Sequence, residues 1–224
     1  MKVVALVSYR YDEDYLEDLK KNLGGLVDEV IVRFDEKGDF WKDEGKYRRQ
    51  MVRQAEEAGA DYALVIDPDE RLEKRAASRL RKMMRKNLGR KVLFNFHFRE
   101  LYTPNRYRVD GIWDKKERVM VFPVRADNVF SKAKLHTPRQ PMNDDYEWIQ
   151  TGLNVYHLKH IKPELRKSRK EIYKKLDPDE RWNGGVGYDY LDDETDVELA
   201  KIPSWRMYKP KYRDYKINKG IFKI

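Results

Sequence analysis

Three short apolar runs, each followed by a polar segment with helical periodicity, constrain this chain more than any other feature. The runs are Val3 to Ser8, Asp28 to Phe34 and Tyr62 to Ile66. Apolar, β-branched stretches of this length bounded by polar residues read as strands buried in a sheet. After the first run, Tyr15, Leu16, Leu19 and Leu23 form a stripe at helical spacing. Lys46 to Ala58 reads as a polar helix with Met51 and Ala55 facing inward, and Glu73 to Lys86 as a basic helix. Strand–helix alternation of this kind builds an α/β domain with a largely parallel sheet.

The texture changes after Gly89. Lys91 to Phe98, Arg118 to Phe122 and Leu153 to His157 are strand-like, but polar, Pro-containing loops separate them instead of helices. A helix is predicted over Pro163 to Leu176, with Pro163 suited to its first turn. The expected architecture is a Rossmann-type, mostly parallel central sheet flanked by helices over residues 1–90, then a mixed half over 91–176. An extension over 177–224 ends in a basic aromatic tail. Gly184-Gly185-Val186-Gly187 within it reads as a turn, since no strand leads in and no Gly-Lys-Ser/Thr follows.

Composition removes several function classes. The 224 residues include no cysteine, which excludes disulfides and thiolate-bound zinc and agrees with a cytoplasmic setting. No apolar run approaches the roughly 20 residues of a membrane span. Met1 to Ser8 is too short for a secretory signal and lacks a small-residue cleavage site, so it reads as the first strand. The net charge of +9 is unevenly placed. Residues 201–224 hold eight Lys or Arg against Asp214 alone, which leaves +2 for the first 200 residues. Trp205, Tyr208, Tyr212, Tyr215 and Phe222 are interleaved with those charges. That pattern suits DNA or another polyanionic partner, and equally an edge strand with one packed face.

The pentapeptide Asp-Pro-Asp-Glu-Arg occurs twice, at Asp67 to Arg71 and at Asp177 to Arg181. The second copy follows a charged helix and reads as a turn. The first copy ends a buried strand. There Asp67, Pro68 and Glu70 match a helix N-cap, first helical residue and capping box. Asp69 is not needed for the cap. Ligands of open α/β sheets bind at the carboxyl edge of the strands, and magnesium or manganese takes one or two carboxylates plus substrate phosphates. Asp67 and Asp69 are therefore candidate metal ligands. His157 and His160 have ligand spacing, but they begin at a strand end, where the side chains should diverge.

Leu64 to Leu72 resembles the Asp-X-Asp segment of family 2 glycosyltransferases. Val4 to Arg10, Asp14 to Leu19 and Val27 to Asp35 resemble that family's opening strand, first helix and second strand. Lys46-Tyr47-Arg48-Arg49, Gly111-Ile112-Trp113, Arg118 to Phe122, Leu135-His136 and Val155 to Leu158 followed by Arg166, Arg169 and Tyr173 extend the likeness to about residue 175. Trp182 to Pro203 resembles bacteriophage-encoded members. The resemblance implies a GT-A fold over residues 1–176, a nucleotide-sugar donor (a UDP-sugar first) and a Mn or Mg ion. It implies that Asp69 and Asp67 hold the metal and diphosphate, with His136 as a late metal contact. It places Asp35 on the base or ribose, Ser8 and Tyr9 along the nucleoside pocket, and Arg48 or Arg49 on the departing diphosphate. The sequence departs from the family at Asp35-Glu36-Lys37-Gly38-Asp39, where members usually carry Asp-Asp-Gly-Ser.

The expected function is metal-dependent, inverting transfer of a sugar to an acceptor hydroxyl, with modified DNA favoured as acceptor. Asp110 and Asp114, flanking Trp113, are candidates for the base, with Glu117, Asp144 and Asp145 behind them. The rival readings are a non-catalytic nucleic-acid-binding protein and a nucleotidyltransferase using the same metal logic.

Overall fold

A computed structural model describes residues 1–133, 136–181 and 187–216. Leu135, Trp182, the Gly184-Gly185-Val186 turn and the tail residues Lys219, Phe222 and Lys223 lie outside the described residues.

The three apolar runs become β1 (Val3–Tyr9), β2 (Glu29–Phe34) and β3 (Tyr62–Val65), paired in parallel as β2-β1-β3. Alternation along β1 sends its side chains to two layers. Val3, Ala5 and Val7 pack with Leu16, Leu19 and Leu23 of α1 (Leu16–Leu23) and with Ala76, Leu80 and Met84 of α4 (Ala76–Lys86). Val4 and Leu6 pack on the opposite face with Tyr47, Met51 and Ala55 of α3 (Glu44–Glu57), which follows the short α2 (Asp39–Lys42). A sheet buried on both faces needs near-continuous apolar strands, which is why β1 and β3 read so plainly in the sequence.

Parallel pairing is limited beyond this point. β5 (Val92–Thr103) pairs parallel with β8 (Glu147–His157), but β7 (Glu117–Pro123) joins β3 and β5 antiparallel. The path of the open, mixed sheet runs β2-β1-β3-β7-β5-β6-β9, where β6 is Arg106–Arg108 and β9 is Leu199–Lys201. The helix α5 occupies Pro163–Leu176, as its pattern predicts.

The capping reading of Asp67 requires correction. Glu70 does accept from the Asp67 amide (2.9 Å) and the Glu70 amide bonds to the Asp67 carbonyl (3.0 Å), yet no helix follows. Residues 70–72 instead form β4, which pairs antiparallel with β8, and α4 starts only at Ala76. Pairing with β8 satisfies the backbone groups that a helix would otherwise have used.

The described part of the C-terminal segment is packed against the domain. β9 pairs with β6, and Tyr208 and Tyr215 are buried with Tyr15, Leu101 and Tyr156. Tyr15 and Tyr215 stack at 4.0 Å. Arg213 is bonded to Asp18 (2.8 Å), so part of the basic excess is neutralised within the fold.

Candidate active site

The carboxyl ends of β1, β2 and β3 converge on a cavity of about 300 Å³. Ser8 and Tyr9 end β1, Asp35 follows β2, and Asp67 and Asp69 follow β3. All five line the cavity, so topology gathers residues spread over the first seventy positions.

Asp35 is buried, and its two carboxylate oxygens accept from the amides of Asp39 (2.8 Å) and Phe40 (3.1 Å). It thereby organises the entry to α2 as well as the cavity wall. Asp67 accepts from Arg139 (2.6 Å), which also makes two 2.8 Å bonds to Glu70. Sequence reasoning missed Arg139, because nothing near it marks it as the partner of an acid 72 residues upstream.

Asp69 is 1% exposed. Its Oδ2 lies 3.1 Å from His157 Nε2 and 3.2 Å from Lys159 Nζ. Lys159 also approaches Asp12 (3.3 Å). On its other side, His157 Nδ1 is 2.5 Å from Glu100 Oε2. Burial would raise the Asp69 carboxyl, but Lys159 and His157 outweigh it and hold the group well below the usual carboxylate range. Burial likewise opposes charge on His157, yet Glu100 and Asp69 push its pKa up to about 10. His160 faces the reverse balance, and burial drives it down to about 3.

The sequence expectation that His157 and His160 diverge is not met. A 3-10 turn over Lys159–Ile161 folds the chain back at the end of β8. The two rings lie 5.6 Å apart, and ligand atoms of Glu100, His157 and His160 all lie within 4.8 Å of one another. A candidate metal site therefore exists among these residues.

Asp69 adds a carboxylate beside this group, through its contact with His157. Asp69 Oδ2 and His157 Nε2 share a hydrogen bond at 3.1 Å, so a divalent ion held by both would replace the proton between them. The Glu100–His157 contact is the outer carboxylate that commonly orients a ligating imidazole. Lys159 can remain paired with Asp12 when Asp69 turns to another cation.

The other predicted residues are placed as follows. His136 lines the cavity with Nε2 3.0 Å from the Tyr188 hydroxyl, which itself donates to Asp177 (2.7 Å). No hydrogen bond or ion pair among the described residues joins His136 to Asp67 or Asp69. Arg48 lines the cavity but is bonded twice to Glu44 (2.9 and 2.6 Å). Arg49 donates to the Ser131 carbonyl and lies outside the cavity lining. Asp110 and Asp114 also lie outside it, held by Arg108 (2.8 Å) and Arg99 (3.0 Å). Arg118 does reach the cavity from β7, over the Phe98 ring at 4.6 Å, with no carboxylate partner among the described residues. Arg169 of α5 joins it in the lining. Thr137 Oγ1 and His160 Nδ1 are buried lining groups without partners among the described residues.

The lining carries seven carboxylates and seven Lys or Arg side chains, so the wall is close to neutral.

No protein-family model and no curated protein matches this sequence. Among solved structures, S. aureus TarS is similar at 14% identity over 86% of this chain and 42% of that one, with a TM-score of 0.46. TarS 1–349 in complex with UDP-GlcNAc gives 13% identity over 86% of this chain and 70% of that one, with a TM-score of 0.48. Mannose-1-phosphate geranyltransferase from Thermus thermophilus gives 13% identity over 93% and 75% of the two chains, with a TM-score of 0.33. The chain spans 42% of the length of the first of these.

Proposed function

We propose that this chain is a GT-A-type glycosyltransferase that moves a sugar from a nucleoside-diphosphate sugar to an acceptor hydroxyl. The observation that carries the reading is the Asp67–Glu70 turn. It sits at the carboxyl edge of three parallel strands with Asp69 Oδ2 3.1 Å from His157 Nε2.

Asp69 and His157, with Asp67 beside them, would hold a manganese ion, and Glu100 would fix the imidazole. When bound, the ion supplies positive charge to the diphosphate as the glycosidic bond breaks. The chain's own residues do the rest. Ser8, Tyr9 and Asp35 form the nucleoside side of the cavity. Arg118 and Arg169 add fixed positive charge where the leaving group's charge develops, and preorganised charge in a water-poor site stabilises such a transition state strongly. His136 remains a proposed wall contact to the donor. For the acceptor proton, the proposed base is Asp114 or Asp110; both lie outside the lining, and either would have to leave its arginine, Arg99 or Arg108, to reach an acceptor hydroxyl. Direct displacement would invert the anomeric carbon. One of Asp114→Asn and Asp110→Asn should lower kcat while leaving the donor KM unchanged, and an unaltered kcat removes that residue from the mechanism.

The basic C-terminal segment supports a polyanionic acceptor, with DNA carrying a hydroxylated base, as in phage DNA modification, first among them. Thermal-shift titration with nucleotide-sugars, UDP-sugars first, tests the reading. One nucleoside-diphosphate sugar should raise Tm by several degrees in the presence of Mn and much less after chelation. No shift with any nucleotide-sugar, in either condition, would sink the proposal. Release of pyrophosphate from a nucleoside triphosphate would point to nucleotidyl transfer at the same site.

A further inference from the structure

A second concavity, of about 750 Å³, is built by the segment after β9. Ile202, Met207 and Tyr208 line it on the apolar side, and Trp205 stands at its edge half exposed. Lys74, Lys201, Lys209 and Lys211 are also in the lining, with no Asp or Glu among its described residues. Arg75 and Arg206 lie over the Trp205 ring at 4.8 and 5.3 Å; Arg75 adds a fifth cation, and a stacking base would displace a guanidinium from the half-exposed ring. Glu73, the acid next to Lys74 in sequence, is buried and bonded to Arg206 (2.7 Å), so it does not cancel this field.

Such a groove selects a ligand that alternates flat apolar groups with anionic ones along a chain. An acidic peptide offers the charge without the flat faces. Single-stranded nucleic acid offers both, since bases stack on aromatic side chains while Lys and Arg contact phosphates. We propose that this groove binds single-stranded nucleic acid, with Trp205 as the base platform and the four lysines as phosphate contacts. Lys74 is five residues beyond Asp69, so their Cα atoms are at most about 18 Å apart. That bound puts the groove and the donor cavity, which share no lining residue, within the span of one bound strand. Its role as acceptor rests on the glycosyltransferase reading, but its binding does not.

Fluorescence anisotropy of the full chain with a labelled oligothymidylate tests this, alongside an abasic strand of equal length and a range of salt concentrations. Trp205→Ala should weaken binding about fivefold or more, the lower end of the loss of one stacked base. Lys201→Gln with Lys211→Gln should reduce the slope of log affinity against log salt by about 1.4, from about 0.7 for each lost phosphate contact on a single strand. Both variants should keep the wild-type Tm and any nucleotide-sugar shift, because none of these residues lines the donor cavity. Wild-type affinity in the variants overturns the proposal, as does equal affinity for the abasic strand. Loss of the nucleotide-sugar response with oligonucleotide binding intact would instead refute the glycosyltransferase reading and leave the groove standing.

Discussion

Asp69→Asn is expected to lower sugar transfer by about 100-fold to 1,000-fold, the range seen when one preorganised electrostatic group is removed from an active site, and to abolish the Mn-dependent rise in Tm. The substitution keeps the shape of the side chain. It also keeps the backbone bond from the Leu158 amide to the Asp69 carbonyl (2.8 Å), which joins the turn to the end of β8. Lys159 retains Asp12 and His157 retains Glu100, so neither cation is stranded. What disappears is the charge that faces His157. The second pentapeptide supplies a control within the same molecule. Asp179 holds the equivalent position, is well exposed and, among the described residues, pairs with Arg181 at 3.1 Å. Exposed pairs of this kind contribute little. Asp179→Asn should therefore leave activity, Tm and the Mn response unchanged. Full activity of Asp69→Asn, measured as nucleoside diphosphate released per enzyme, would remove the turn from the mechanism.

Arg71→Ala should lower Tm by about 10 °C, the largest stability effect expected outside the apolar core. Arg71 is completely buried. Its guanidinium donates to the carbonyls of Pro68 (2.6 Å), Glu70 (2.7 Å) and Tyr15 (3.0 Å) and to the Tyr215 hydroxyl (3.3 Å). One side chain thus fixes the Asp67–Glu70 turn from behind and ties it to α1's entry and to the C-terminal segment. Alanine leaves three carbonyls buried without this donor and opens a void. At about 1–3 kcal/mol for each unsatisfied group, with partial relaxation, the loss is about 3–5 kcal/mol. A domain of this size loses about 2–4 °C per kcal/mol. Arg71→Lys should recover only part of the loss, because an ammonium cannot span four acceptors in one plane. A Tm change under about 2 °C for the alanine variant, followed by circular dichroism, would show that the turn holds without its internal strut.

Particular elements show how much was legible beforehand. β1, β3, α3 and α5 were readable because each repeats a short-range pattern, apolar on both faces for the strands and one stripe for the helices. β4 was not readable. Its three residues carry capping chemistry, and only the partner strand β8 converts the segment from a helix start into an edge. Arg48 and Arg49 were recognisable as basic residues on a helix, but their partners, Glu44 and the Ser131 carbonyl, depend on packing. Arg139, Arg118 and Glu100 carried no local signal at all, since a lone charge in a loop or strand looks alike whether it is solvated or enclosed.

The two Asp-Pro-Asp-Glu-Arg copies separate what local sequence dictates from what packing adds. Both close the same amide-to-carbonyl bond, Glu70 to Asp67 and Glu180 to Asp177, each at 3.0 Å, and then part: Glu70 enters β4 while Glu180 takes a positive φ. That bond is local, because a turn depends on the conformational preferences of four adjacent residues, although by sequence the first copy reads as a helix cap. Sequence alone dictates that the first copy ends a strand in an α/β domain, because the apolar pattern is local too. What the turn faces follows from the three-dimensional packing. The antiparallel register that sets Glu70 opposite His157 brings His157 and Lys159 against Asp69 from almost ninety residues away. Strand register arises from burial of whole faces in the sheet, not from the letters of either strand alone. That register makes one copy a candidate active site and leaves Asp179 of the other in solvent.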